Sequence, residues 1–175
     1  MFKRIATASL VAILIVPAAT LGQTRRRSSG SRTSATASAP ARASQARTAG
    51  AQRVADQIKL MTRFVYLLGG VTSGIAAVDE AAKRNEATPE LLQKNQQNKT
   101  TVKTSIQGFR EGLDKLEVDF RNQPELQPFY IKLAGSAAGA ATAEEQAASN
   151  QFDAAGRSLL NVISRLADVL VIMRQ

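Results

Sequence analysis

The chain has 175 residues, 44% of them hydrophobic but only 5% aromatic, and it contains neither Cys nor His. Those two absences exclude disulfides, thiolate zinc and iron–sulfur sites and covalent haem attachment, and they remove the commonest general base and imidazole metal ligand. The net charge of +9 is confined to one end: nine of the 23 cations and none of the 14 acids fall within residues 1–53, so residues 54–175 are neutral overall.

Residues 1–22 follow the secretory pattern, with Lys3 and Arg4 ahead of the apolar run Leu10–Val16 and Pro17 behind it. The small residues Thr20 and Gly22 suit a cut before Gln23. An uncleaved anchor over residues 5–22 is the alternative, although the apolar run is shorter than the ~20 residues a span needs. An organelle transit peptide is a third reading, because residues 1–53 are acid-free and rich in Arg and Ser. Arg25, Arg26 and Arg27 just past the cut oppose translocation under the positive-inside tendency.

Residues 23–50 hold Arg, Ser, Thr, Ala and Gly with almost no large apolar side chain. Such a composition buries too little to offset the entropy of ordering its backbone, so a disordered linker is expected. Its cations Arg25, Arg26, Arg27, Arg32, Arg42 and Arg47 are candidates for binding polyanions, for instance an anionic envelope or membrane surface, because guanidinium pairs bidentately with phosphate. A solvated spacer is the competing reading. No aromatics are interleaved, so specific nucleic-acid recognition is not expected.

From residue 51 the apolar spacing becomes helical. A first helix over 51–86 carries Val54, Ile58, Met61, Val65, Leu68, Thr72 and Ile75. Thr88-Pro89-Glu90 supplies a cap, a first-turn Pro and an acid for a second helix over 89–122, with the stripe Val102, Ile106, Phe109, Leu113, Leu116 and Phe120. A third helix over 125–148 passes through Phe129 and Leu133. A fourth over 151–175 carries Phe152, Leu159, Ile163, Leu166, Leu170 and Met173. Short connections make neighbours antiparallel, so the expected fold is all-α: an up-down-up-down four-helix bundle, with coiled-coil-like seams, behind a signal-like segment and a basic linker.

Gly70 with Gly74, and Gly135 with Gly139, form small-xxx-small patterns expected to let helix backbones pack closely. Membrane insertion is the alternative, although the charge-free run 64–78 is too short to span a bilayer. The acids read as solvated faces, with Glu111–Lys115 and Glu117–Arg121 as i,i+4 pairs. A di-iron bundle needs Glu-x-x-His pairs and haem an axial His, so no cofactor or metal site is expected. Asn95 and Lys99 interrupt the second helix's stripe upstream of Val102, either to fix register or because that stretch has lost its partners. The first two helices are about ten residues longer than the others, so their hairpin is expected to overhang, with Leu91 and Leu92 as exposed apolar contacts for a protein partner.

No motif points to catalysis. The functional expectation is an exported, non-catalytic protein of the envelope or periplasm that binds another macromolecule or plays a structural part, its Arg-rich arm attracted to anionic surfaces. The alternative is a carrier that holds an apolar ligand or lipid in a cavity between helices.

Overall fold

The structure is a computed structural model that describes residues 38–175. The described residues are all-helical, in five elements: α1 (Ala39–Lys83), α2 (Pro89–Asn122), α3 (Gln127–Leu133), α4 (Ser136–Ala148) and α5 (Phe152–Met173). The signal-like segment, and residues 23–37 of the linker, lie outside the described residues.

Two boundaries differ from the sequence expectation. The first helix begins at Ala39 rather than at residue 51, with Pro40 in its opening turn. Ala and Arg are strong helix formers, and this added stretch finds a support that composition does not show. A Cβ on buried Gly50 would lie 2.9 Å from Leu126 Cδ2 and 3.0 Å from Met173 Cε. Small residues here let the helix lie directly on the α2–α3 turn and the end of α5. The third helix is divided at Gly135, which adopts φ +87°, a left-handed conformation open mainly to glycine. Arg165 Nη1 donates to the carbonyl of Ala134 at 2.7 Å, satisfying an acceptor left free where α3 ends.

Two tight turns reverse the chain. After α1, Asn85 is left-handed (φ 57°), the Glu86 N–H reaches Ala81 O and the Asn85 N–H reaches Ala82 O, a Schellman closure. After α4, Asn150 (φ 60°) repeats it, with Gln151 N–H to Gln146 O. Thr88 then caps α2, its Oγ1 accepting the Leu91 N–H at 3.3 Å.

The helices meet in the order α1, α2, α4, α5 and back to α1, while α3 packs on α2 and α5. Cross-helix bonds fix the directions. Arg53 pairs with Asp119 while Asn95 bonds Ile75, so α1 and α2 are antiparallel. Lys103 reaches Ala148 O and Glu117 accepts from the Ala137 N–H, so α2 and α4 are antiparallel. Ser158 bonds Gln146 while Gly139 meets Val162, and Thr72 bonds Asp153 while Gly50 meets Met173, so α5 runs antiparallel to both α4 and α1. The interior holds most of the expected stripes: Val54, Met61, Leu68 and Ile75 from α1, Ile106, Leu113 and Phe120 from α2, and Phe152, Leu159, Leu166 and Met173 from α5. On α5, Val162 and Val169 are also buried, and Ile163 and Leu170 only half-buried. Phe64 and Phe109 meet edge to face at 5.1 Å between α1 and α2.

The contacts show how far each helix reaches. Thr72 stands opposite Asp153 in the first turn of α5, yet α1 continues to Lys83. Lys103 stands opposite the last residue of α4, yet α2 begins at Pro89. Eleven residues of α1 and fourteen of α2 thus project past α4 and α5, about 16–21 Å at ~1.5 Å per residue.

Candidate interaction surfaces

The projecting hairpin is stabilised by polar groups where an apolar stripe would otherwise run. Asn95 is only 4% exposed. Its Nδ2 donates to Asp79 Oδ1 at 2.8 Å and to Ile75 O at 3.4 Å, and Lys99 Nζ sits 2.7 Å from the same Asp79 oxygen. Asn95 Oδ1 is buried with no hydrogen-bond partner. The two polar interruptions of the α2 stripe therefore clamp α1 to α2 in one register, and Asp79, read from sequence as plain surface, is their common acceptor. Beyond the clamp, Leu91 and Leu92 are 40% and 42% exposed.

Four of the candidate polyanion contacts, Arg25, Arg26, Arg27 and Arg32, lie outside the described residues. Arg42 and Arg47 fall on α1 instead of a linker, both exposed. The Arg47 guanidinium lies over the Phe129 ring, 5.6 Å from its centroid, a cation–π contact. It borders an open groove of about 630 Å³ between the first turns of α1 and the end of α5, with Ala43, Ala51, Leu170 and Met173 as apolar lining and Arg174 on the far side.

The two glycine pairs part company. At Gly139 a Cβ would stand 2.7 Å from Val162 Cγ2, so α4 and α5 touch through the missing side chain. Gly135 serves as the break between α3 and α4, and a Cβ there would press on Arg165. Gly70 and Gly74 have no atom within 4 Å of where a Cβ would lie. Close packing within the chain is therefore absent at that pair, which lies on the outward side of α1 away from Met61, Leu68 and Thr72.

Glu111 and Glu117 take partners other than the expected Lys115 and Arg121. Arg110 collects Glu144, Asp114 at 3.0 Å and Glu111 at 4.0 Å. Glu117 turns from Arg121 to the Ala137 N–H, capping the start of α4. Among the described residues no group of three or more His, Cys, Asp or Glu is placed to hold a metal ion. The outer surface of α1 is apolar over the charge-free run 64–78. This helix is long and apolar enough to cross a membrane by length and composition, and only 17% of its most apolar eighteen-residue window is buried.

Comparison with known protein families, with curated proteins and with solved structures finds no match to this chain.

Proposed function

We propose that this chain is an exported, non-catalytic, antiparallel up-down-up-down four-helix bundle that engages another macromolecule through its projecting α1–α2 hairpin. The observation that carries this reading is the hairpin itself. Two helices extend past the others, held together by Asp79, Asn95 and Lys99, and end in exposed Leu91 and Leu92. A protein that needed only a stable bundle gains nothing from a protruding pair of helices whose seam is closed by amide and charge rather than by a core. The arginines at the other end of α1 and ahead of it add attraction to an anionic surface, and Arg residues suit that task because they stay charged and pair with phosphate or carboxylate in a fork.

A photo-crosslinking side chain at Leu92 tests this in the native cell. A discrete adduct with another macromolecule is expected there and not from Val118, which is equally exposed (43%) on the body of α2. No adduct, or the same adducts from both positions, would refute the reading. The N-terminal sequence of the protein from its source tests export, with Gln23 as the expected first residue.

The groove beside Arg47 favours a second reading, a carrier for an amphiphilic anion. Its 630 Å³ falls in the range of small-ligand clefts. A rise in Tm with a long-chain fatty acid, lost in Arg47→Ala and Arg174→Ala, would support the carrier; no rise would dismiss it.

A further inference from the structure

The outward face of α1 is apolar where a surface helix should be polar. From Phe64 to Val78 there is no charged residue. Tyr66 is 83% exposed, Leu67 55% and Leu60 57%, while Gly70 and Gly74 look onto open space. We propose that this face binds the same face of a second copy of the chain, antiparallel, about a two-fold axis through Gly70.

Three features select that occupant and register. A two-fold contact joins one patch to itself, so the patch must be self-complementary in shape and charge. Centred on Gly70, the pairing sets Gly70 against Gly70, where the absent side chains let the backbones close, and places Tyr66 over the partner's Gly74. The most exposed ring on the face thus meets a notch left by a missing Cβ. Charge agrees with the same centre. The uncharged run is bracketed by exposed Asp56, Lys59 and Arg63 on one side and by exposed Glu80 and Arg84 on the other. Antiparallel pairing about Gly70 brings Lys59 within one residue of Glu80, so the exposed Asp56–Lys59 pair of one copy meets the exposed Glu80–Lys83 pair of the other with opposite charges adjacent, over about 40 Å of helix. A parallel pairing stacks like charges on each other. A lipid surface is a poorer fit, because membrane-lying helices carry predominantly Lys and Arg beside the apolar face, and here acids stand at both ends.

The natural absence of cysteine makes the test clean. In the full chain, Gly70→Cys puts two thiols on the axis, within the 4.4–6.8 Å Cα spacing that a disulfide accepts. Gly108→Cys on α2 is the control, being equally open to solvent. On mild oxidation the Gly70→Cys chain should form a covalent dimer at least tenfold faster. In the cysteine-free chain, sedimentation should show a concentration-dependent dimer that Gly74→Leu abolishes without lowering the Tm measured at low concentration, where the chain is a monomer. Lys59→Glu should weaken the dimer, and adding Glu80→Lys should restore it. A monomer at all concentrations, with both cysteine variants cross-linking equally slowly, would overturn the proposal. So would flotation with anionic vesicles that Tyr66→Asp eliminates, which would make lipid the occupant.

Discussion

Lys99 Nζ lies 2.7 Å from Asp79 Oδ1 across the seam of the α1–α2 hairpin, and the lysine side chain is only 16% exposed. Asn95 donates to the same oxygen, so one carboxylate satisfies a buried amide and a half-buried ammonium on the facing helix. Removing it by Asp79→Ala strands a half-covered cation and an amide, and should cost about 1–3 kcal/mol, the usual penalty for orphaned buried polar groups. Asn95→Leu should be neutral or mildly stabilising, because the unpaired Oδ1 goes with it. Urea unfolding of both variants checks the pair; equal losses would show that Asp79 is not the shared acceptor.

Glycine substitutions should separate the two helix faces. Gly139→Leu drives a side chain into Val162 and should destabilise by about 1–3 kcal/mol or more. Gly70→Ala enters open space in a helix interior and should raise stability by up to about 1 kcal/mol through helix propensity alone. Thermal unfolding at low concentration, where any dimer has dissociated, reads both.

The N-terminal arginines should bind anionic vesicles or polymers with an affinity that falls steeply with salt, since added salt screens charge attraction and binding to a polyanion releases counterions. Deleting residues 23–37 should weaken that binding, by removing Arg25, Arg26, Arg27 and Arg32, and leave Tm unchanged. Deleting 23–50 should also lower Tm, because it removes Gly50 from Leu126 and Met173 and Arg47 from Phe129. Salt-insensitive binding, or binding kept by residues 54–175 alone, would refute the tether.

The hairpin tip should loosen in acid before the body does. A hydrogen bond and the charge of Lys83 hold the Glu80 carboxyl below its ordinary 4.5, and Glu80 in turn raises Lys83 above 10.5. Bonds from its own N–H and from Thr88 lower Glu90. A depressed carboxyl contributes stability that is complete above its ordinary value and is lost as pH falls through its lowered one; a raised ammonium contributes below its ordinary value and loses it as pH rises. The tip is therefore tightest between about pH 4.5 and 10.5. Glu80→Gln with Glu90→Gln should flatten the acid limb of amide chemical shifts at residues 80–92, and an unchanged limb would assign it elsewhere.

Much of this architecture was legible because large apolar side chains at three- and four-residue steps can be buried on only one helical face. Val102, Ile106, Phe109, Leu113, Leu116 and Phe120 read as a stripe, and all are buried except Phe109, which is half-buried against Phe64. The turns were legible too, since Thr88-Pro89 and Ser149-Asn150 carry their own backbone preferences. The start of α1 was not. Residues 39–50 pack through Ala and Gly, which leave no hydrophobic period to detect. The break at Gly135 hides among alanines that suit either a continuous helix or two. Glycine spacing alone could not tell Gly139, pressed against Val162, from Gly70, which faces outward. That difference depends on which side of each helix the larger residues pull inward.

Hydrogen exchange on the full chain tests the projecting hairpin most directly. Amides of residues 76–98 lack the cover of α4 and α5, so they should exchange about tenfold faster, or more, than those of residues 102–120 in the body of α2. Slowest within the hairpin should be the turn around Asn95, where the Asp79 clamp holds. If residues 76–98 prove as protected as 102–120 in the isolated protein, the hairpin is covered along its length, and the contact surface assigned to Leu91 and Leu92 does not exist.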